Sequence, residues 1–239
     1  AGATPQVVDV KPDDFCLDPS AIEIQAADAT HVVAVHTFGA PADIEAMSNQ
    51  GRKVIEDCCQ SLGGHGSKGP LGIKSGVAIF SFYATKIITG GQGGLLWSRK
   101  AMLAEKARDY REFDCRQSYV QRFNFQMTDI QAALINSQLM RLNSIIERRS
   151  SIIKRYLSVL PTGFRCQSGL RSQGRMAYRC ILLAPDSRRR DALRDHMATA
   201  GINCIVPIER YELLHRYLKL DPADYPVAES IVDTSLSLP

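Results

Sequence analysis

Short apolar runs bounded by turn residues alternate with amphipathic stretches through the first half of the chain. This is the pattern of an α/β layout with a mostly parallel sheet. Residues 30–38 (THVVAVHTF) and Lys53–Asp57 (KVIED) predict buried strands, and residues 41–50 between them predict a helix that Gly51 closes. Residues 76–82 (GVAIFSF) and Gly94–Ser98 (GLLWS) predict two more strands, followed by a helix over residues 100–110. Thr128 and Gln131 have capping-box spacing and predict a helix start. The apolar periodicity then runs past Ile145, Ile152 and Leu157 until Pro161 stops it, which predicts one long, bent helix leading into a second domain. Beyond a Gly- and Ser-containing stretch (residues 161–174), residues 178–184 (YRCILLA) predict a strand. Asp186 or Ser187 caps a helix that ends at Gly201, and residues 202–208 (INCIVPI) predict another strand. The implied division is a sheet-bearing part over residues 1–143 and a smaller α/β part over residues 144–239.

Composition narrows the function classes. The chain has 239 residues, of which 45% are hydrophobic, ample for a packed core. The net charge of +4 is mild, and its basic residues are spread among acids except at residues 187–194 (SRRRDALR). That run reads as a solvated helix face, so no nucleic-acid partner is expected. Seven cysteines, at positions 16, 58, 59, 115, 166, 180 and 204, are odd in number and lack CxxC spacing. They suggest neither a metal site nor a disulfide framework and suit a reducing cytosol. The apolar stretch over residues 77–84 is too short to cross a bilayer, and no signal-peptide pattern opens the chain. The expectation is a cytoplasmic protein with no membrane partner.

Two predicted strand ends carry chemistry. In open α/β sheets ligands collect beyond the carboxyl ends of strands. Asp57 ends one such strand, with Gln60 three residues on; Ser81 and Lys86 follow another. A carboxylate aimed at a pyridinium nitrogen and a lysine that can bond an aldehyde are the two groups pyridoxal phosphate (PLP) most needs from a protein. Taken singly, the Asp reads as a turn residue and the Lys as a surface charge. Taken together, with Gln60 and Ser81 at their offsets, they point to the cofactor. His36 on its apolar strand reads as a hydrogen-bonded core histidine, His65 as a loop residue facing water, and Cys58 and Cys59 as small buried side chains.

The wording around these residues resembles the DegT/StrS family of PLP-dependent sugar aminotransferases. The family's acidic "IEDAAQ" strand end appears as IEDCCQ (residues 55–60), and its "SFxxxK…GEGG" lysine loop as SFYATK followed by GQGG (residues 81–94). PQVVDVKPDDFCLDPSAIE (residues 5–23), VHTFGAPADIEAM (residues 35–47), RFNFQMTDIQAA (residues 122–133) and the closing SLSLP (residues 235–239) recur in the family's order. The resemblance implies a fold type I PLP-dependent transferase: a partial large domain with a mostly parallel sheet, and a small C-terminal α/β domain. It implies that Lys86 bonds the cofactor and shuttles protons, that Asp57 faces the ring nitrogen, and that Gln60 bonds the phenolic oxygen. Ser81 would reach the phosphate, and Asn124 the phosphate of the partner subunit in a homodimer. The substrates implied are a nucleotide-linked keto sugar and an amino acid such as glutamate, and Tyr211 and His215 fall where the family approaches the sugar. Lys86 stands where dehydratase members carry histidine, which favours amino transfer. Gln92 replaces the Glu of GEGG, and Gln126 replaces an Arg. The family's N-terminal phosphate-binding Ser-Gly-Thr loop and ring-covering aromatic, like its C-terminal end, have no counterpart in these residues. The alternative reading is therefore a catalytically incomplete relic that keeps the fold without turnover and binds PLP weakly.

Overall fold

The alternation in the first half folds as one sheet with helices on one side. The structure, a computed structural model, describes residues 2–170, 175–176 and 178–239; residues 171–174, the end of the Gly- and Ser-containing stretch, lie outside the described residues. Helix α1 (Pro19–Gln25) starts at Asp18, whose side chain accepts from Ser20 N, with Pro in the first turn. Strand β1 (His31–Val35), helix α2 (Ile44–Asn49, capped by Asp43) and strand β2 (Lys53–Asp57) follow. A two-residue hairpin, β3 (His65–Gly66) with β4 (Gly69–Pro70), precedes β5 (Val77–Ser81) and β6 (Gly94–Ser98). The sheet order is β1-β2-β5-β6; β1/β2 and β2/β5 are parallel and β5/β6 antiparallel. The last pair is antiparallel because residues 82–93 return as a loop, with no crossover helix to reverse the chain.

Side-chain alternation divides the sheet into two unlike faces. Val32, Ala34 and Val54 pack against Ile22, Ile44 and Met47, so α1 and α2 cover one face. The other carries Val33, Val35 and Leu96, all exposed.

Glu56 lies on the covered face and is fully buried. Its carboxylate accepts from His36 Nε2 at 3.2 Å, Gly72 N at 2.8 Å, Ser75 N at 2.8 Å and Ser75 Oγ at 3.1 Å. His36 Nδ1 accepts from Ala42 N at 3.0 Å, which puts the ring proton on Nε2, facing the carboxylate. His36 is thus a satisfied core histidine. Burial alone raises the Glu56 carboxyl, but the bonds from His36, Ser75 N and Gly72 N outweigh it and bring the group from 4.5 down to about 2.

In the second half, α3 (Ala101–Arg111) is followed by α4 (Asp129–Leu139), which opens on the Thr128–Gln131 capping box. The helical run does not continue as one helix: the chain turns at Met140 and Arg141, where Arg141 leaves helical geometry (φ −109°, ψ 8°), and α5 (Leu142–Ser158) begins. The new direction lets Ile153 and Leu157 pack on Cys180 and Leu182 of a three-stranded sheet. That sheet is β7 (Arg165–Cys166), β8 (Cys180–Leu183) and β9 (Ser235–Leu238), antiparallel in this order. Helix α6 (Ser187–Thr199) is capped by Asp186 and closed by Gly201 at φ 73°. The strand expected over residues 202–208 does not form. Residue Ile205 makes an isolated bridge to Ser237 on the outer edge of β9, and Pro207, two residues on, has no N–H with which to extend it. Two short helices, α7 (Leu214–Tyr217) and α8 (Pro226–Thr234), complete the chain, and Asp9 receives Val227 N and Ala228 N at the start of α8. Among the described residues no helix is long and apolar enough to cross a membrane.

All four groups facing the Glu56 carboxylate are donors, so an amide there must point an NH2 at a donor whichever way it is turned. Glu56→Gln is expected to lose about 3 kcal/mol of unfolding free energy in urea titration. Because the folded-state value is depressed, the contribution is complete above about pH 4.5 and is lost as pH falls toward 2. The variant should show a flatter acid limb over that window; wild-type stability with an unchanged acid limb would mean the clamp is dispensable.

Candidate active site

The pleat that turns Glu56 into the core turns its neighbour Asp57 to the opposite, open face. Asp57 pairs with Val35 on β1 and Ile79 on β5, and Ser81 lies two residues beyond Ile79. Asp57 and Ser81 therefore share one face at the carboxyl edge of adjacent parallel strands. Asp57 Oδ1 accepts from Cys59 N at 2.9 Å, which closes the chain into a turn directly after β2. Cys59 is half-buried, not fully buried as expected, whereas Cys58 is buried against Leu71 and Ala78. Burial pushes the Cys59 thiol up to about 12, reinforced by the Asp57 carboxylate and opposed by the Lys86 ammonium.

Lys86 sits in the loop after β5, where its N–H donates to the Tyr83 carbonyl at 2.9 Å. The loop is held from two sides. Gln138 on α4 donates to Thr89 O at 2.7 Å and accepts from Thr89 N at 3.1 Å. The Tyr178 hydroxyl lies 3.1 Å from Thr85 O and 3.4 Å from Thr85 Oγ1. The Lys86 Nζ lies 5.3 Å from the centroid of the Tyr178 ring, within cation–π range. Among the described residues Lys86 has no carboxylate partner, so its amine is oriented by an aromatic face and left without an ion pair.

Gln60 joins the same cluster by another route. Its Oε1 accepts from Phe38 N at 2.8 Å, and the Phe38 carbonyl accepts from Tyr178 N at 3.2 Å. Phe38 is buried in left-handed geometry (φ 53°), followed by Gly39 at φ 90°. Contacts thus link Gln60 to Lys86 through Phe38 and Tyr178, while Asp57 and Ser81 share the open face. Asn124 is not brought to them: it is exposed on the irregular segment before α4 and hydrogen-bonds to none of the four among the described residues. His215 is buried, 2.7 Å from Glu229 and stacked on Tyr225. Tyr211 is exposed and His65 faces solvent on the β3–β4 hairpin. Tyr178, Phe38, Thr85 and Gln138 had no signal in local spacing, since each acts on a residue distant in sequence.

The donor set fits PLP. It supplies a carboxylate for a protonated ring nitrogen, an amide beside it, a hydroxyl, and an amine without a competing ion pair. A Cβ at Gly39 would lie 1.8 Å from the Met176 carbonyl oxygen, at a backbone angle that L side chains rarely adopt. Gly39→Ala should therefore lose at least about 2 kcal/mol of stability in chemical denaturation. Wild-type stability in that variant would show that the turn carries no constraint.

Residues 1–239 match the profile described as the DegT/DnrJ/EryC1/StrS aminotransferase family. The erythromycin biosynthesis sensory transduction protein EryC1 of Saccharopolyspora erythraea is 28% identical, over 100% of this chain and 68% of its own length. The dTDP-3-amino-3,4,6-trideoxy-alpha-D-glucose transaminase of Streptomyces venezuelae is 32% identical, over 100% of this chain and 66% of its length. The crystal structure of S. venezuelae DesV in complex with a ketimine intermediate superposes with a TM-score of 0.88 at 30% identity, covering 100% of this chain and 67% of that one. The chain thus spans about two thirds of the length of these relatives.

Proposed function

We propose that this chain, which belongs to the DegT/DnrJ/EryC1/StrS aminotransferase family and has its fold type I α/β architecture, moves an amino group from an amino acid, glutamate in our reading, to a nucleotide-linked keto sugar. The observation that carries the reading is the placement of Asp57 and of the Lys86 loop at the carboxyl ends of the adjacent parallel strands β2 and β5. Residues 1–143 serve as the cofactor-binding part and residues 144–239 as the smaller domain, in a cytoplasmic homodimer.

PLP, when bound, supplies an electron sink for the pair left when an amino acid loses its α-proton. Asp57 keeps a proton on the ring nitrogen, because an opposite charge favours the cationic form. Gln60, already fixed by Phe38 N, presents its amide to the phenolic oxygen. Ser81 offers its hydroxyl to the phosphate, joined by Asn124 across the subunit interface. Lys86 Nζ would hold the cofactor between turnovers and, once displaced, would take the proton from the donor's α-carbon and deliver it to the cofactor carbon that had been bonded to the lysine. That amine lies over the Tyr178 ring, 5.3 Å from its centroid.

Reduction with borohydride in the presence of PLP should fix the cofactor on a Lys86 peptide, and Lys86→Ala should abolish the adduct. An adduct mapped to another lysine and unchanged in Lys86→Ala would sink the assignment.

Asp57→Asn should leave that adduct largely intact while transamination falls roughly a hundredfold or more, the scale of one lost charge contact at a transition state. Full turnover in Asp57→Asn would make the acidic strand end structural.

A further inference from the structure

Arg175 is buried, at 5% exposure, and nothing in the proposed chemistry uses it. Its Nη2 donates to Gln167 Oε1 at 2.6 Å, while Nε and Nη1 have no partner among the described residues. Burial brings the guanidinium down from 12.5 to about 10, against the opposing pull of Cys16 and Asp14, so it stays charged at neutral pH. A buried cation with two unpaired donors costs stability rather than adding to it. Its place in the core therefore needs another explanation, and its one partner supplies it. Gln167 is fully buried; its N–H donates to Ile181 O on β8 at 3.1 Å, and its side-chain amide donates to Thr37 O and Asp14 O. Arg175 is thus tied to the point where β8 meets the turn over residues 37–39.

We propose that Arg175 is a positioning residue for Lys86: with Gln167 it anchors the segment that presents the Tyr178 ring to the lysine amine. The segment is short. The Met176 carbonyl lies against Gly39, Tyr178 N donates to Phe38 O at 3.2 Å, and β8 begins at Cys180. Tyr178 therefore sits between two fixed points, the Arg175 anchor on one side and the first residue of β8 on the other. From there its hydroxyl reaches Thr85 O at 3.1 Å and its ring centroid stands 5.3 Å from Lys86 Nζ. Releasing the Arg175 end lets the ring tilt away from the amine while β8 and its sheet stay in place. What Lys86 is positioned for rests on the aminotransferase reading; the positioning itself does not.

The test is competitive acetylation of the chain without PLP, read by mass spectrometry as labelling of Lys86 relative to the exposed Lys53 and Lys106 in the same sample. An amine released from the ring should label about threefold faster, the scale of a partly exposed cation–π contact. Arg175→Met should show that rise with no loss of resistance to urea, since apolar atoms replace a buried cation. Tyr178→Leu should show the same rise, and adding Arg175→Met to it should change nothing further. Arg175→Lys keeps the charge but loses the planar fork, and should give a smaller rise of the same sign, which covers the case that Arg175→Met folds poorly. Unchanged relative labelling of Lys86 in the folded Arg175 variants would overturn the proposal, as would a rise that persists in full in the Tyr178→Leu background. Borohydride fixation of PLP in wild type separates the two ideas: a normal Lys86 adduct with labelling indifferent to Arg175 removes the positioning role alone, and Arg175-dependent labelling with no Lys86 adduct removes the cofactor assignment alone.

Discussion

The buried carboxylate of Glu56 is the constraint on which the rest of the site depends. It accepts every donor that His36, Gly72 and Ser75 turn toward it, and so ties the end of β1, the end of β2 and the loop entering β5 at one point. A charge placed there without those donors would be prohibitively costly to desolvate. With them, the end of β2 has one register and one orientation. Asp57 is then forced by the strand's pleat onto the open face, level with Ile79 of β5. The acidic pair at the strand end is thus divided, one carboxylate inside fixing the geometry and one on the open face.

A second constraint joins the two halves of the chain. The turn over residues 37–39 uses left-handed geometry at Phe38 and Gly39, and its backbone meets Tyr178 on one side and Gln60 on the other. Gln167 strengthens the junction by donating to Thr37 O at 3.0 Å and Asp14 O at 2.6 Å. Since Tyr178 also bonds Thr85 and lies beneath Lys86, the orientation of the lysine loop depends on contacts with the β8 segment. Strain in the turn is tolerated because buried partners surround it.

Charge is distributed by the same logic. Near the chain's end, Glu229 gathers Arg216, Arg210 and His215, while Asp9 receives the first N–H groups of α8; these carboxylates are saturated and structural. The bonds from Arg216 hold the Glu229 carboxyl down at about 2 against burial, with His215 helping.

Local sequence determined those features whose cause is local. The KVIED and GLLWS strands, the Thr128–Gln131 capping box, the Asp186 cap and the Gly201 stop each follow from residues within a few positions, and each formed where expected. That Asp57 and Ser81 end adjacent strands was legible for a related reason: strand ends in a parallel sheet fall on one edge. Tertiary structure decided what competes over distance. Residues 202–208 are apolar enough for a strand, yet only residue Ile205 meets the outer edge of β9, in a single bridge to Ser237. The helical periodicity across residues 129–158 was continuous, but packing of Ile153 and Leu157 on the second sheet goes with a turn at Met140 and Arg141. Nothing near Tyr178 in sequence announces that its ring lies against Lys86, because that contact exists only once the turn at Phe38 and Gly39 has brought the β8 segment to the end of β1. Periodicity reports which side chains prefer burial; which partner buries them is settled by the pairing of segments far apart in the chain.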